Sequence, residues 1–137
     1  MPTQPVVPAA GRGERLGPGA PKALRRVGPH QLGVAKVMAS AGLTHGGFYA
    51  HFASREAMLA EAADRAGAEG VAAVERVAAA APSRKALQAL LRAYLSKAHV
   101  EGVETGCAVA ALGSEMPRQA PAVRRAATRR IKDMIDL

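Results

Sequence analysis

The chain has 137 residues, 49% of them hydrophobic and 3% aromatic, with 19 Lys and Arg against 11 Asp and Glu for a net charge of +8. This length and hydrophobic content suit one compact domain and exclude an intrinsically disordered chain. No apolar run approaches the ~20 residues of a transmembrane helix, and the first residues lack the apolar core of a signal peptide. Cys107 is the single cysteine, which excludes an internal disulfide and a multi-cysteine zinc site. We therefore expect a cytoplasmic protein whose first candidate partner is a nucleic acid, ahead of an anionic membrane surface.

The amino-terminal part of the chain is basic and poor in regular structure. The first 33 residues hold six of the nine prolines and six of the fourteen glycines, and residues 1–36 carry six basic residues against one acid. Residues 1–20 are predicted to form a flexible basic tail. Proline blocks helix interiors, so Pro18, Pro21 and Pro29 leave room for only a short helix, from about Lys22 to Val27.

The next segment has the pattern of two short helices around a glycine. Apolar residues recur at helical spacing from Val34 to Ala41, and Gly42 ends that helix because glycine readily adopts positive φ. Thr44 is a suitable N-cap for a second helix that runs to Phe52. Ser54 caps a third helix, which runs to about Ala68 with its pattern extending towards Pro82.

The remaining elements are also helical, which predicts an all-α fold with no strand. Ser83 is expected to cap a helix whose inward face holds Leu87, Leu90, Leu91, Tyr94, Leu95 and Ala98. The segment from Cys107 to Glu115 is short, apolar and predicted to be helical. Pro121 suits the first turn of a last helix. That helix has an apolar face of Val123, Ala127, Ile131, Met134 and Ile135, and a polar face of Arg124, Arg125, Arg129 and Lys132.

Two short helices joined at a glycine turn describe a helix-turn-helix. Leu43 and Phe48 are expected to fill the crease between the helices, which leaves the second helix exposed. Phe48 and Phe52 are both expected to belong to the core. A helix of this size fits the major groove of DNA with its first residues facing the base edges.

The residues of this segment resemble the DNA-binding region of the tetracycline-repressor (TetR) family. The resemblance covers VAKVMASAGLTHGGFYAHFASREAMLAEA, Val34 to Ala62, and is most specific in AGLT, FYAHF and SREAML. The segment from Gly106 to Arg125 also looks like the regulatory domain of one TetR subgroup. The resemblance implies a helix-turn-helix DNA-binding domain at residues 21–68 and a partial helical ligand-binding and dimerisation domain at residues 69–137.

The resemblance also implies which residues contact DNA. The leading end of the second helix, where base edges and nearby phosphates are met, corresponds to Thr44, His45, Gly46 and Gly47. Tyr49 and His51 match positions that usually bind phosphate, and Arg55 matches a usual lysine at the start of the next helix. Two glycines in a short helix cost about 1 kcal/mol each relative to alanine, which a close approach to DNA would offset.

The chain departs from the family pattern in three places. Met38 stands where a small alanine is common, and Gly33 replaces a Ser or Thr cap that often touches phosphate. The family's first helix is represented only by PKALRRVG, Pro21 to Gly28, and the chain stops before the helices that usually form the dimer interface. The sequence thus resembles a family member shortened at the C-terminus and altered at the N-terminus, as a reading-frame error or a degraded gene would produce.

The leading hypothesis is a transcriptional repressor that a small-molecule ligand releases from its operator. A homodimer would place two recognition helices about 34–36 Å apart on palindromic double-stranded DNA. A ligand that binds the two conformers unequally would change that separation. Helical periodicity suggests a pocket lined by Leu91, Tyr94, Leu95, Val109 and Leu112, although each of these residues also suits an ordinary core.

Alternative interpretations remain open. The chain could bind nucleic acid without sequence preference, as a remnant of such a regulator, or sense thiol-reactive compounds through Cys107. His45 and His51 could be ordinary surface histidines, Tyr49 a half-buried core residue, and the arginines of the last helix a solvated face. No catalytic arrangement, phosphate-binding loop or set of metal ligands is recognisable, so we expect neither an enzyme nor a cofactor nor a metal site.

Overall fold

The computed structural model describes Gly17 and residues 19–137, and this part of the chain is all-α, with helices and turns but no strand. The helices are α1 (Gly19–Gln31), α2 (Val34–Ser40), α3 (Phe48–His51), α4 (Arg55–Ala79), α5 (Ala86–Tyr94), α6 (Lys97–Glu101), α7 (Ala108–Leu112) and α8 (Pro121–Ile135). Three short 3₁₀ turns, His45–Gly47, Ser83–Lys85 and Met116–Arg118, precede α3, α5 and α8. The fold class predicted from the sequence is confirmed.

The turn between α2 and α3 forms as the glycine predicts. Gly42 has a φ of 70°, in the left-handed region that favours glycine. Its N–H donates to the Ala39 carbonyl (3.1 Å), and the Leu43 N–H donates to the Met38 carbonyl (2.8 Å). These bonds satisfy the free carbonyls at the end of α2 and reverse the chain towards α3.

The predicted helix caps differ in outcome. The Ser54 hydroxyl accepts a hydrogen bond from the Ala57 N–H (3.0 Å), so α4 begins with the expected cap. Thr44 lies at an N-cap position, but its hydroxyl accepts no capping bond, because a 3₁₀ turn separates it from α3. Ser83 is likewise part of a 3₁₀ turn, and α5 starts only at Ala86. The predictions for these two side chains were wrong.

Helix α1 is longer than its prolines predicted. Pro21 lies in the first turn, where a missing N–H has no intrahelical acceptor to lose, so the helix starts at Gly19. At Gly28 the backbone leaves the helical region (φ 75°, ψ 169°), and Pro29 follows that kink. Gly19 and the fully buried Ala20 therefore belong to α1 and not to the predicted tail. The rest of that predicted tail, apart from Gly17, lies outside the described residues.

The main core lies under the helix-turn-helix. It combines Leu24 of α1 and Leu32 with Val37 and Met38 of α2 and with buried side chains of the segments that follow; these are Phe48, Phe52, Met58, Leu59, Ala62 and Ala63, joined by Leu112 and Val123. Phe48 and Phe52 are 3% and 4% exposed, as predicted for core residues. Helix α4 runs unbroken across position 68, so the two predicted domains share this helix.

Helix α5 is placed differently from its prediction. Leu87 and Leu95, expected to face inwards, are 71% and 75% exposed, and no residue of α5 is fully buried. The helix ends at Tyr94, because the Ser96 hydroxyl accepts from the His99 N–H (3.1 Å) and starts α6. One long helix to Ala98 was therefore the wrong expectation.

Helices α4 and α8 pack closely through small residues and an ion-pair network. An added Cβ at Gly67 would lie 2.4 Å from Cβ of Arg130, so only glycine permits this approach. The Asp64 carboxylate accepts from Arg129 Nη2 (2.7 Å) and from Arg130 Nε (2.9 Å) and Nη2 (2.8 Å). Burial alone would raise the pKa of Asp64, but the hydrogen bonds and charges of the two arginines lower it below its usual value.

Candidate nucleic-acid interface and ligand cleft

The segment from Thr44 to His51 presents an exposed surface on a buried anchor. Phe48 fixes the segment in the core, while Tyr49, the next residue, is 80% exposed. The two rings meet edge to face, with centroids 5.1 Å apart and an interplanar angle of 75°. Packing against Phe48 holds the Tyr49 ring at the surface, and its exposure contradicts the alternative of a half-buried core residue.

The two glycines of this segment have different surroundings. An added Cβ at Gly46 would meet no atom of the described residues within 4 Å, whereas one at Gly47 would lie 3.3 Å from the Thr44 hydroxyl. Neither glycine has a positive φ. Inside the free protein, therefore, neither space nor backbone conformation requires glycine at position 46.

The remaining predicted DNA contacts surround these glycines. Thr44 and His45 are exposed, and His51 is partly buried at the end of α3. Arg55 is also partly buried, and its Nη2 donates to the carbonyls of Pro29 (2.5 Å) and Leu32 (3.2 Å). Arg55 thus ties the start of α4 to the end of α1, a structural role that the resemblance did not suggest.

A second candidate site is an open cleft of about 480 Å³ between α4, α5 and α8, called the regulatory cleft below. Its walls are mainly apolar and include Val74, Val77, Leu90, Ile131, Met134 and Ile135. Clefts of this size with apolar walls and a few polar groups are typical of small-molecule sites.

The polar edge of the regulatory cleft combines Tyr94, His99, Thr105 and Cys107. The rings of Tyr94 and His99 are in contact, with centroids 4.5 Å apart. The electrostatic interaction with Cys107, together with a hydrogen bond to its sulfur, raises the pKa of Tyr94. The edge can therefore donate and accept hydrogen bonds beside an apolar wall.

The structure brings together only part of the predicted pocket. Tyr94 and Val109 line the regulatory cleft, but Leu91 and Leu95 do not, and they are 52% and 75% exposed. Leu112 is buried in the main core. Periodicity along α5 did not identify the α4 and α8 walls, because they form through the pairing of two helices distant in sequence.

Two kinds of feature are absent from the described residues. None of their helices is long and apolar enough to cross a membrane. Between residues 17 and 137, excepting residue 18, no three His, Cys, Asp or Glu side chains converge as a metal site would require.

The comparisons with known proteins bear on the helix-turn-helix. Residues 19–62 match the family model described as bacterial regulatory proteins, tetR family. That match begins at the first residue of α1 and ends within α4, so it spans the complete exposed segment and most of the core side chains beneath it. A stretch of 39 residues is 59% identical to the 2-C-methyl-D-erythritol 4-phosphate cytidylyltransferase of Streptomyces coelicolor, covering 28% of this chain and 14% of that enzyme.

A buried three-helix core that presents a short exposed helix is the arrangement of a helix-turn-helix DNA-binding domain. Residues 19–62 thus carry the helix-turn-helix domain of the tetR family of bacterial regulatory proteins, and this domain supports a DNA-binding transcriptional regulator. Members of this family bind DNA, typically as homodimers, and in general they are not enzymes.

Proposed function

We propose that this regulator is a repressor that binds an operator through the segment from Thr44 to Arg55 and is released by a small-molecule effector. The observation that carries the proposal is the exposed segment itself. Tyr49 is 80% exposed and packs on the buried Phe48, and the position of Gly46 in the same segment is open. A rigid anchor with an unobstructed backbone is what a major-groove contact needs.

The proposed DNA contacts are divided by chemistry. The exposed leading end of the segment, Thr44 to Gly47, would meet base edges and adjacent phosphates. Tyr49 and His51 would donate to phosphate oxygens. Arg55 would serve phosphate through donors other than Nη2, because that atom is bonded to the Pro29 and Leu32 carbonyls.

The dimer and the effector form the second part of the proposal. A homodimer would span two half-sites about 34–36 Å apart. Exposed apolar side chains on α5 and α8, among them Leu87 and Ile135, support an association of this kind. The effector would occupy the regulatory cleft with an apolar body against α4 and α8 and a hydrogen-bonding group at Tyr94.

Selection of purified protein on random duplex DNA at two salt concentrations tests the proposal. An enriched palindrome that persists at the higher salt is the expected result. A single half-site would retain the DNA contacts but contradict the dimer. Binding that is blind to sequence and falls steeply with salt would overturn the repressor and favour a nonspecific remnant.

The second candidate function is a thiol-based sensor, favoured by the position of Cys107 in the cleft beside Tyr94. Alkylation of the native protein at several pH values tests it. A rate at pH 7 well above that of free cysteine supports the sensor, whereas an equal or lower rate removes it. The cytidylyltransferase match covers 14% of that enzyme, so its activity is not carried over to this chain.

A further inference from the structure

Arg25 in α1 is the one charged residue that the structure buries between residues 19 and 137. Only 5% of the residue and 1% of its side chain are exposed. Burial of a guanidinium is unfavourable unless acceptors surround it, so the partners of this group explain its position.

Three acceptors from two parts of the chain surround the guanidinium. Nη1 donates to Glu69 Oε2 (2.8 Å) and Nη2 to the Ala66 carbonyl (2.8 Å), both on α4. Nη1 also reaches the carbonyl of Glu104, in the loop between α6 and α7 (3.4 Å). Arg25 thus joins α1, α4 and this loop through one planar group.

The same loop forms part of the regulatory cleft. Glu104 directly precedes Thr105, Gly106 and Cys107, all of which line the cleft. The bond to the Glu104 carbonyl is long, while both bonds to α4 are short, and Arg25 Nε donates to no atom of the described residues. A displacement of the loop would therefore alter one contact of a buried cation that two short bonds join to α4.

Helix α1 is also in close contact with the DNA-binding segment. An added Cβ at Gly19 would lie 2.9 Å from the Ser40 side chain, at the end of α2. At the other end of α1, Arg55 bonds the Pro29 and Leu32 carbonyls and so links α1 to the residues after α3. A shift of α1 would therefore reach both flanks of α3, the proposed recognition helix.

We infer that Arg25 is a positioning residue that couples the regulatory cleft to the recognition helix. Occupation of the cleft moves the loop at residues 104–107, and Arg25 transmits that movement to α1. This inference rests on the proposed function where it concerns DNA affinity, but the coupling between cleft and α1 can be measured without DNA.

The test uses the full chain and N-ethylmaleimide, which reacts at Cys107, the single cysteine. The thiolate forms a sulfur–carbon bond to the maleimide double bond and the neighbouring carbon takes a proton from water, so a bulky group is placed in the cleft without any oxidant. Amide hydrogen exchange of residues 19–31 and 44–55 reports on the DNA-binding segment. The ratio of the dissociation constants for a selected DNA duplex, measured before and after modification, is the coupling factor.

In the wild type, we expect modification to change the exchange of α1 and the DNA dissociation constant, the latter by roughly 5- to 150-fold. Arg25→Met should abolish the exchange response and bring the coupling factor to within about twofold of unity. The matched control is Arg26→Met, because Arg26 is exposed and, among residues 19–137, bonds only the side chain of the same Glu104 (3.2 Å). It should retain both responses.

Two results would overturn the inference: an α1 whose exchange does not respond to the adduct in the wild type, or a folded Arg25→Met variant that responds as the wild type does. If Arg25→Met does not fold, Arg25→Lys decides in the same way, because an ammonium keeps the charge but cannot span three acceptors. A wild type that binds no duplex, yet shows the exchange response and loses it in the variant, would contradict only the proposed function.

Discussion

Gly46 has space for a side chain in the free protein but, in our proposal, none in the complex with DNA. An added Cβ would meet no atom within 4 Å in the part of the chain that the structure describes, so Gly46→Ala should leave the melting temperature unchanged or slightly higher. Its affinity for operator DNA should fall by about tenfold or more, since one lost contact of this kind costs about 1–3 kcal/mol. Fluorescence anisotropy and thermal melting measure the two effects, with Gly70→Ala on α4 as the control. Unchanged affinity would show that the backbone at position 46 stays away from DNA.

Tyr49 is expected to contribute its hydroxyl to a phosphate. Its ring is 80% exposed, so Tyr49→Phe should change stability by less than about 0.5 kcal/mol. DNA binding should weaken by about 1–2 kcal/mol, because a hydrogen bond to a charged oxygen is lost. Tyr94→Phe removes the other tyrosine hydroxyl of the chain, inside the regulatory cleft, and should leave DNA affinity unchanged in the absence of effector. Equal affinities of the two variants would contradict the proposed phosphate contact.

At the scale of helices, two glycines on α4 differ in the space that α8 leaves beside them. A Cβ at Gly67 would lie 2.4 Å from Cβ of Arg130, an atom next to the backbone that cannot swing away. Gly67→Ala should therefore lower the free energy of unfolding by about 1–3 kcal/mol despite its better helix propensity. A Cβ at Gly70 would lie 3.7 Å from Met134 Cε, an ordinary contact, so Gly70→Ala should stabilise by about 0.5–1 kcal/mol. Urea unfolding measures both; a stabilised Gly67→Ala would contradict the close packing of α4 on α8.

Helix α5 shows where helical periodicity reaches its limit. Its apolar spacing correctly indicated a helix, and Leu90 does face the regulatory cleft. Leu87 and Leu95 are exposed because an amphipathic pattern specifies that a face favours burial but not which element covers it. The end at Tyr94 depends on the Ser96 cap, a local competition that spacing of apolar residues does not reveal.

Across the whole molecule, the Asp64 carboxylate connects α4 to the C-terminal helix α8, and its pKa is lowered by Arg130 and Arg129 against the effect of burial. A lowered pKa in the folded state stabilises the protein above the unfolded value near 3.8, and that contribution is lost as pH falls through the folded pKa. The unfolding free energy should therefore decrease between about pH 5 and pH 2, and Asp64→Asn should reduce that decrease. Urea titrations at several pH values measure the slope. Asp136→Asn, at the exposed end of α8, is the control. If the unfolding free energy of Asp64→Asn changed with pH as steeply as that of the control, Asp64 would not be the source of the pH dependence.

The sequence alone determined the helical class, the glycine turn, the Ser54 cap and the exposed segment from Thr44 to His51. Each of these features depends on residues within one or two turns of one another. It also indicated that Phe48 and Phe52 belong to the core. The tertiary structure decided which features arise between distant residues: the α4 and α8 walls of the regulatory cleft, the Asp64 network and the burial of Arg25. Periodicity describes one helix at a time, whereas these sites exist only where separate helices meet, with Arg25 and Glu104 lying 79 positions apart.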